Sequence, residues 1–345
     1  MVQDRKLGIW VLILAAMVFG MVIGGGHSRT IGASFTIQVW RPVIGFIPPL
    51  NAKDWNQMFA LFQQTAQYKA HPIDMAQYKA LFWPMFLDRC WGRLIGVAFL
   101  VPFVWFVISG RLRGKLLLWM GGLFLFGAGQ ATYGWYMVRT GMEPGVLSPP
   151  PEWAAPHLLS AMAIFLLLLW TGLSLCKPAP TRIEGAVFLR GLTTATVVLV
   201  WITMGFGALV ATSGALNVYN TFPMMGAHWL PSGMFAQPAF LSNFITNPGT
   251  VQFCHRLLAT ITAIIAVITA IIGLRQKLPA SLRDTYLLLA GLVALQYLLG
   301  MTTLILGNNE LGYVHELNAV LLFASAIVAR HGLRGAVTTT QETGR

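Results

Sequence analysis

Residues 251–275, VQFCHRLLATITAIIAVITAIIGLR, decide the fold. After His255 and Arg256 the run carries no charge until Arg275, close to the roughly 20 apolar residues that a helix needs to cross a bilayer. Working outward, comparable runs lie at about 8–26, 84–109, 116–137, 155–176, 190–212, 284–306 and 311–330. Of the 345 residues, 56% are hydrophobic and only 10% are charged, whereas soluble domains carry about 25% charged residues. The expected fold class is therefore all-α: a polytopic membrane protein with eight transmembrane helices. The first run has a long apolar core, and Gly24-Gly25-Gly26-His27 matches a cleavage site poorly, so it is read as a span and not as a signal peptide.

The formal net charge of +12 records topology. Arg5 and Lys6; Arg111, Arg113 and Lys115; Lys177, Arg182 and Arg190; Arg275, Lys277 and Arg283; and Arg330, Arg334 and Arg345 all fall on one side of an eight-span arrangement. By the positive-inside rule that side, with both termini, is cytoplasmic, and no nucleic-acid partner is expected. Two long external segments remain, 27–83 and 213–249, with short helices expected around 52–69 and 73–82. Segments this long either cover a site or form a packed cap. Cys90, Cys176 and Cys254 form no C-x-x-C pair and are read as packing residues and not as a disulfide.

A duplication runs through the chain. Asp88-Arg89, Gln130 and His157-Leu158-Leu159-Ser160-Ala161 recur in order, at nearly the same spacing, as His255-Arg256, Gln296 and His315-Glu316-Leu317-Asn318-Ala319. It divides the chain into four-helix repeats at 1–183 and 184–335, with a polar tail at 336–345. Each half has an even number of spans, so the repeats are parallel, related by an axis along the membrane normal. Asp88, His157, His255 and His315 then lie on spans 2, 4, 6 and 8, each near the outer end of its helix. Polar groups at that depth usually face the bundle interior. Zinc sites use three or four protein ligands, whereas a histidine pair on separate helices suits the axial positions of a haem iron, housed between facing helices. Arg89, Arg93 and Arg256 stand near the same ends, as propionate partners or as anchors at the lipid headgroups.

At these residues the chain resembles the haem A synthase family, which oxidises a methyl group of haem O to a formyl group. Arg41-Pro42, Gly45-Phe46-Ile47-Pro48-Pro49-Leu50 and Asp54-Trp55 resemble the family's first external segment. Tyr78-Lys79-x-x-Phe82-Trp83 leads into Asp88-Arg89-x-x-Gly92-Arg93-x-x-Gly96, and Gln130-x-x-x-Gly134-Trp135-Tyr136-Met137-Val138 follows. In the second half the matching stretches are Tyr219-Asn220-Thr221-Phe222-Pro223-x-Met225, Gln252-Phe253-x-His255-Arg256 and Leu295-Gln296-x-x-x-Gly300-x-Thr302-Thr303-Leu304. The resemblance implies haem B as cofactor on His255 and His315, with haem O as substrate on His157 in the first half. It implies a bacterial inner membrane, a lipid bilayer around the spans and, as a partner, the farnesyltransferase that forms haem O. Homo-oligomerisation is left open.

The family usually has Glu-x-x-His-Arg where this chain has Met85-Phe86-Leu87-Asp88-Arg89, and an acidic residue where it has Met225 before Gly226. Asp88 is then a weak axial ligand, a partner for iron-bound water, or an ion-pair partner of Arg89 or Arg93. The departure also favours a second reading, a non-enzymatic relative carrying one haem B for electron transfer or oxidase and haem assembly. A two-repeat transporter is the third.

Overall fold

The computed structural model describes residues 4–39, 41, 45–177 and 179–338. Pro42 of the Arg41-Pro42 stretch, and the tail from 339 to Arg345, lie outside the described residues. The elements run α1 (Arg5–Thr30), α2 (Ala52–Phe62), α3 (Ala66–Ala70), α4 (Met75–Ile108), α5 (Gly114–Arg139) and α6 (Pro151–Cys176). There follow β1 (Ile183–Glu184), α7 (Val187–Thr212), α8 (Asn243–Thr246), α9 (Pro248–Arg275), α10 (Ala280–Leu306), α11 (Asn309–Gly332) and β2 (Ala336–Val337). The eight expected spans correspond to α1, α4, α5, α6, α7, α9, α10 and α11, each long and apolar enough to cross a membrane.

The short helices outside the spans differ from expectation. The stretch 52–69 is broken at Thr65, whose hydroxyl accepts from Tyr68 N and starts α3 afresh. The helix expected at 73–82 is not separate but forms the first turns of α4. Asp74 caps it: its carboxylate accepts from Gln77 N, and the Gln77 side chain accepts from Asp74 N, a reciprocal capping box. Pro84 removes one interior N–H without ending the helix. At 34 residues, α4 is about 50 Å long, well beyond the roughly 30 Å of bilayer hydrocarbon.

The chain separates into two compact units, residues 13–165 and residues 1–12 with 166–345. These limits differ from the repeat halves, because α1 and α6 each contribute to both units. In the first unit, Phe62, Tyr78, Phe82 and Phe86 are buried in a core with Ala33 and Ile37. Phe62 stacks on Tyr78 with centroids 5.3 Å apart, and Trp55 meets Phe82 at 4.9 Å. The Tyr78 hydroxyl donates to Thr36 O at 3.0 Å, so the aromatic core also holds the chain leaving α1.

In the second unit α7 and α9 are joined by paired hydroxyls, Thr196 with Thr269 at 3.0 Å and Thr203 with Thr262 at 2.8 Å. Such small hydroxyl residues let membrane helices approach closely while each hydroxyl stays satisfied. Gly273 makes room for Tyr286, since a Cβ there would lie 2.5 Å from its ring. Ala336 and Val337, assigned to the polar tail from the sequence, instead pair in parallel with Ile183 and Glu184. Arg190 fixes this small sheet by donating to Ala336 O at 3.1 Å.

Candidate functional site

His255 lies in the second turn of α9 and His315 in the second turn of α11. The fold brings the two rings together, with centroids 6.4 Å apart and planes at 82°. Nδ1 of each ring is buried without a hydrogen-bond partner. Leaving a buried polar atom unsatisfied costs about 1–3 kcal/mol, so two such atoms on facing helices call for a ligand. Glycines clear the space around them: a Cβ on Gly300 would stand 2.8 Å from His315 Cε1, and one on Gly207 would stand 3.4 Å from His255 Cε1.

Gln296 sets the orientation of His315. The Leu292 carbonyl can only accept, so the Asn318 atom 3.0 Å from it is the amide nitrogen. That nitrogen also donates to Gln296 Oε1 at 2.7 Å, which leaves Gln296 Nε2 facing His315 Nε2 at 3.2 Å. An amide nitrogen only donates, so in this arrangement Nε2 of His315 accepts and the ring proton sits on Nδ1, the nitrogen left without a partner; ligation of iron by this ring requires the Gln296 contact or that proton to shift. Gln296 and Asn318 stand in the sequence only as repeat landmarks; their contact with the ring is a tertiary fact.

In the first unit the same local arrangement recurs with one change. Gln130 Oε1 accepts from Ser160 Oγ at 2.6 Å, but Gln130 Nε2 donates to the backbone oxygen of His157, also at 2.6 Å, and not to its ring. Gly134 clears the His157 ring as Gly300 clears His315, since a Cβ would lie 2.9 Å from Cε1. Tyr133 stacks on the ring at 5.6 Å with planes 8° apart. Tyr133 lies within the Gln130–Val138 stretch, yet nothing in the sequence signals its role. Nδ1 of His157 is again buried without a partner.

Asp88 Oδ1 is likewise buried without a hydrogen-bond partner and lies against Gly24, in space that only a residue without a side chain leaves open. The three arginines are directed at the long inter-span segments 27–83 and 213–249. Arg89 donates to Ile37 O at 2.6 Å and Val39 O at 3.3 Å, and Arg93 donates to Arg41 O at 2.8 Å. Arg256 donates to Tyr219 O at 2.6 Å, Thr221 O at 2.8 Å and Met224 O at 3.2 Å. Its Nε remains buried and unpartnered. Each arginine thus ties one of these two segments to the turn bearing Asp88 or His255.

The His255–His315 donor set, two imidazoles without thiolate or carboxylate, suits haem better than zinc. Among the described residues no group of three or more His, Cys, Asp or Glu is placed to hold a bare metal ion. A family model described as cytochrome oxidase assembly protein matches residues 8–327. The chain belongs to this family. Among relatives of the cytochrome oxidase assembly family, heme A synthase 1 of Acidiphilium cryptum is 52% identical, with 96% of this chain and 94% of the relative aligned. Heme A synthase 2 of the same organism is 37% identical, over 96% of this chain and 92% of the relative. The heme A synthase of Granulibacter bethesdensis is also 37% identical, over 96% and 88%.

Proposed function

We propose that this chain is a haem A synthase, a membrane oxidoreductase that converts the methyl group of haem O to the formyl group of haem A. The carrying observation is similarity along nearly the whole chain to heme A synthases, 52% in one case, in a fold that pairs the rings of His255 and His315, each with an unpartnered buried Nδ1. The non-enzymatic reading is not favoured, because the similarity spans both halves and not the second alone.

His255 and His315 are the residues that would hold a resident haem B. Bound there, that group would supply one-electron transfer, with a potential tuned by its axial ligands and burial. Gln296 and Asn318 fix the His315 ring, and Gly207 and Gly300 leave the rings room. In the half 1–183, His157 presents a nitrogen to the iron of haem O, with Tyr133 stacked on its ring to limit rotation. Asp88 faces the same outer level with one free oxygen, a position from which it orients a water or a proton. The segments 27–83 and 213–249, tied down by the three arginines, keep bulk water from these turns.

Co-expression with a haem O supply, followed by pigment extraction and chromatography, tests the assignment. Haem A is expected to accumulate in cells lacking any other family copy, and to be absent without the farnesyltransferase that supplies haem O. Haem O persisting unchanged would sink the enzymatic reading. The excess of arginine and lysine on one side supports an orientation with both termini in the cytoplasm, and the similarity to bacterial heme A synthases supports a bacterial inner membrane. A reporter fused at Ser242 should therefore be active only in an external compartment, and cytoplasmic activity would reverse the orientation.

A further inference from the structure

The two external segments differ in charge and in packing. The first, 27–83, carries Arg29, Arg41, Lys53, Asp54, Lys69, Asp74 and Lys79 and is built on a buried aromatic core of Phe62, Tyr78 and Phe82, with Ile47 and Leu50 exposed at its surface. The second, 213–249, contains no Asp, Glu, Lys or Arg at all. Its large apolar side chains point outward: Leu241 is 73% exposed, Trp229 68%, Phe240 59%, Leu230 56% and Phe235 54%. Phe235, Phe240 and Phe244 form one aromatic cluster, with centroids 5.3–6.2 Å apart.

Its polar groups are turned onto its own backbone. Asn243 accepts from Gln237 N at 3.0 Å and donates to the oxygens of Gln237, Ala239 and Phe240. Asn247 donates to Gly233 O at 2.9 Å, and the Tyr219 hydroxyl pairs with Ser232 at 2.9 Å. A water-exposed loop shows the reverse, with polar groups outside and rings within. Backbone satisfied internally beneath an apolar, uncharged surface is what a bilayer interface demands. The segment also runs without interruption into α9, a membrane-spanning helix that starts at Pro248, so it sits at the level where that helix leaves the hydrocarbon.

We propose that residues 229–246 form a flap inserted in the lipid leaflet at the N-terminal end of α9, with Trp229, Leu230, Phe240 and Leu241 as its lipid contacts. The occupant of this surface is the bilayer, not a second copy or another protein. Through Arg256 and Gln252, which hold Leu216, Tyr219, Thr221 and Met224, the base of the flap is fixed to the turn bearing His255. That turn is therefore covered from the lipid side.

The test uses the full chain in lipid nanodiscs, one copy per disc, with Cys90, Cys176 and Cys254 replaced by alanine. Nitroxide labels are placed on Leu241→Cys, on Trp229→Cys and, as an exposed reference on the charged segment, on Lys53→Cys. Relaxation by oxygen and by a water-soluble nickel chelate gives the depth of each. Labels at 241 and 229 are expected to be open to oxygen and shielded from nickel, at about 5–10 Å below the phosphates, with the label at 53 open to nickel. Nickel access at 241 and 229 equal to that at 53 overturns the proposal. Shielding from both oxygen and nickel overturns it too, because it marks a protein contact. Helicity by circular dichroism confirms that each labelled chain is folded, and either of the two flap sites alone is sufficient to decide.

Discussion

His255→Ala and His315→Ala are each expected to abolish the six-coordinate, low-spin haem spectrum of the protein, whereas His157→Ala largely preserves it. The two rings face one another across 6.4 Å between centroids, each with an unpartnered buried Nδ1. Removing either imidazole leaves one axial position without a strong protein ligand, so essentially all low-spin signal should convert to high-spin or vanish with the haem. His157 belongs to the other half, and its neighbours are Tyr133, Gly134 and Gln130. Optical and electron paramagnetic resonance spectra of the purified variants read this directly. A low-spin spectrum surviving in both the His255 and His315 variants would falsify the ligand assignment.

Asp88→His is expected to change the substrate haem of the first half from a high-spin or water-ligated signal to a bis-histidine one. The repeat and the family both place histidine at this position, and Gly24 is what lets the present side chain lie where it does, since a Cβ there would meet the Asp88 carboxylate. If the first half binds haem O as proposed, His157 is the one strong protein ligand of that iron in the native chain, and the opposite face is weakly held. Asp88→Ala should retain haem O binding, since a carboxylate adds little as an axial ligand beside an imidazole, while His157→Ala should lose most of it. Haem occupancy and spin state measured with haem O supplied distinguish these cases. Two bis-histidine haems in the unmodified protein would mean that another histidine, such as His228 or His27, fills the position, and the reading of Asp88 would fail.

Several features are legible in the residues because they depend on composition along one helix. The eight spans follow from apolar runs long enough for a bilayer. His255 and His315 can be paired from the sequence because each begins a span running in the same direction, which puts them at one depth. Other features depend on which side chain meets which backbone. The Asp74 capping box merges an expected external helix into α4, a local signal that the apolar pattern alone does not weigh. Helix register puts Arg89, Arg93 and Arg256 near Asp88 and His255, but their guanidiniums close on carbonyls from segments up to 52 residues away. Register along a helix says nothing about which loop folds back over it.

What the sequence by itself determined is the all-α membrane class, the span count, the family and the candidate ligands. All of these are properties of hydrophobic runs and of residue types at fixed positions. The tertiary structure alone decided the finer chemistry. It turned Gln296 onto the His315 ring but turned Gln130 onto the backbone of His157. It also faced Trp229, Leu230, Phe240 and Leu241 of 213–249 outward, where Phe62, Tyr78 and Phe82 of 27–83 are buried. The reason is physical: a hydrogen bond or a buried face is settled by the partner that arrives from elsewhere in the chain, and a one-dimensional pattern does not contain the partner's position.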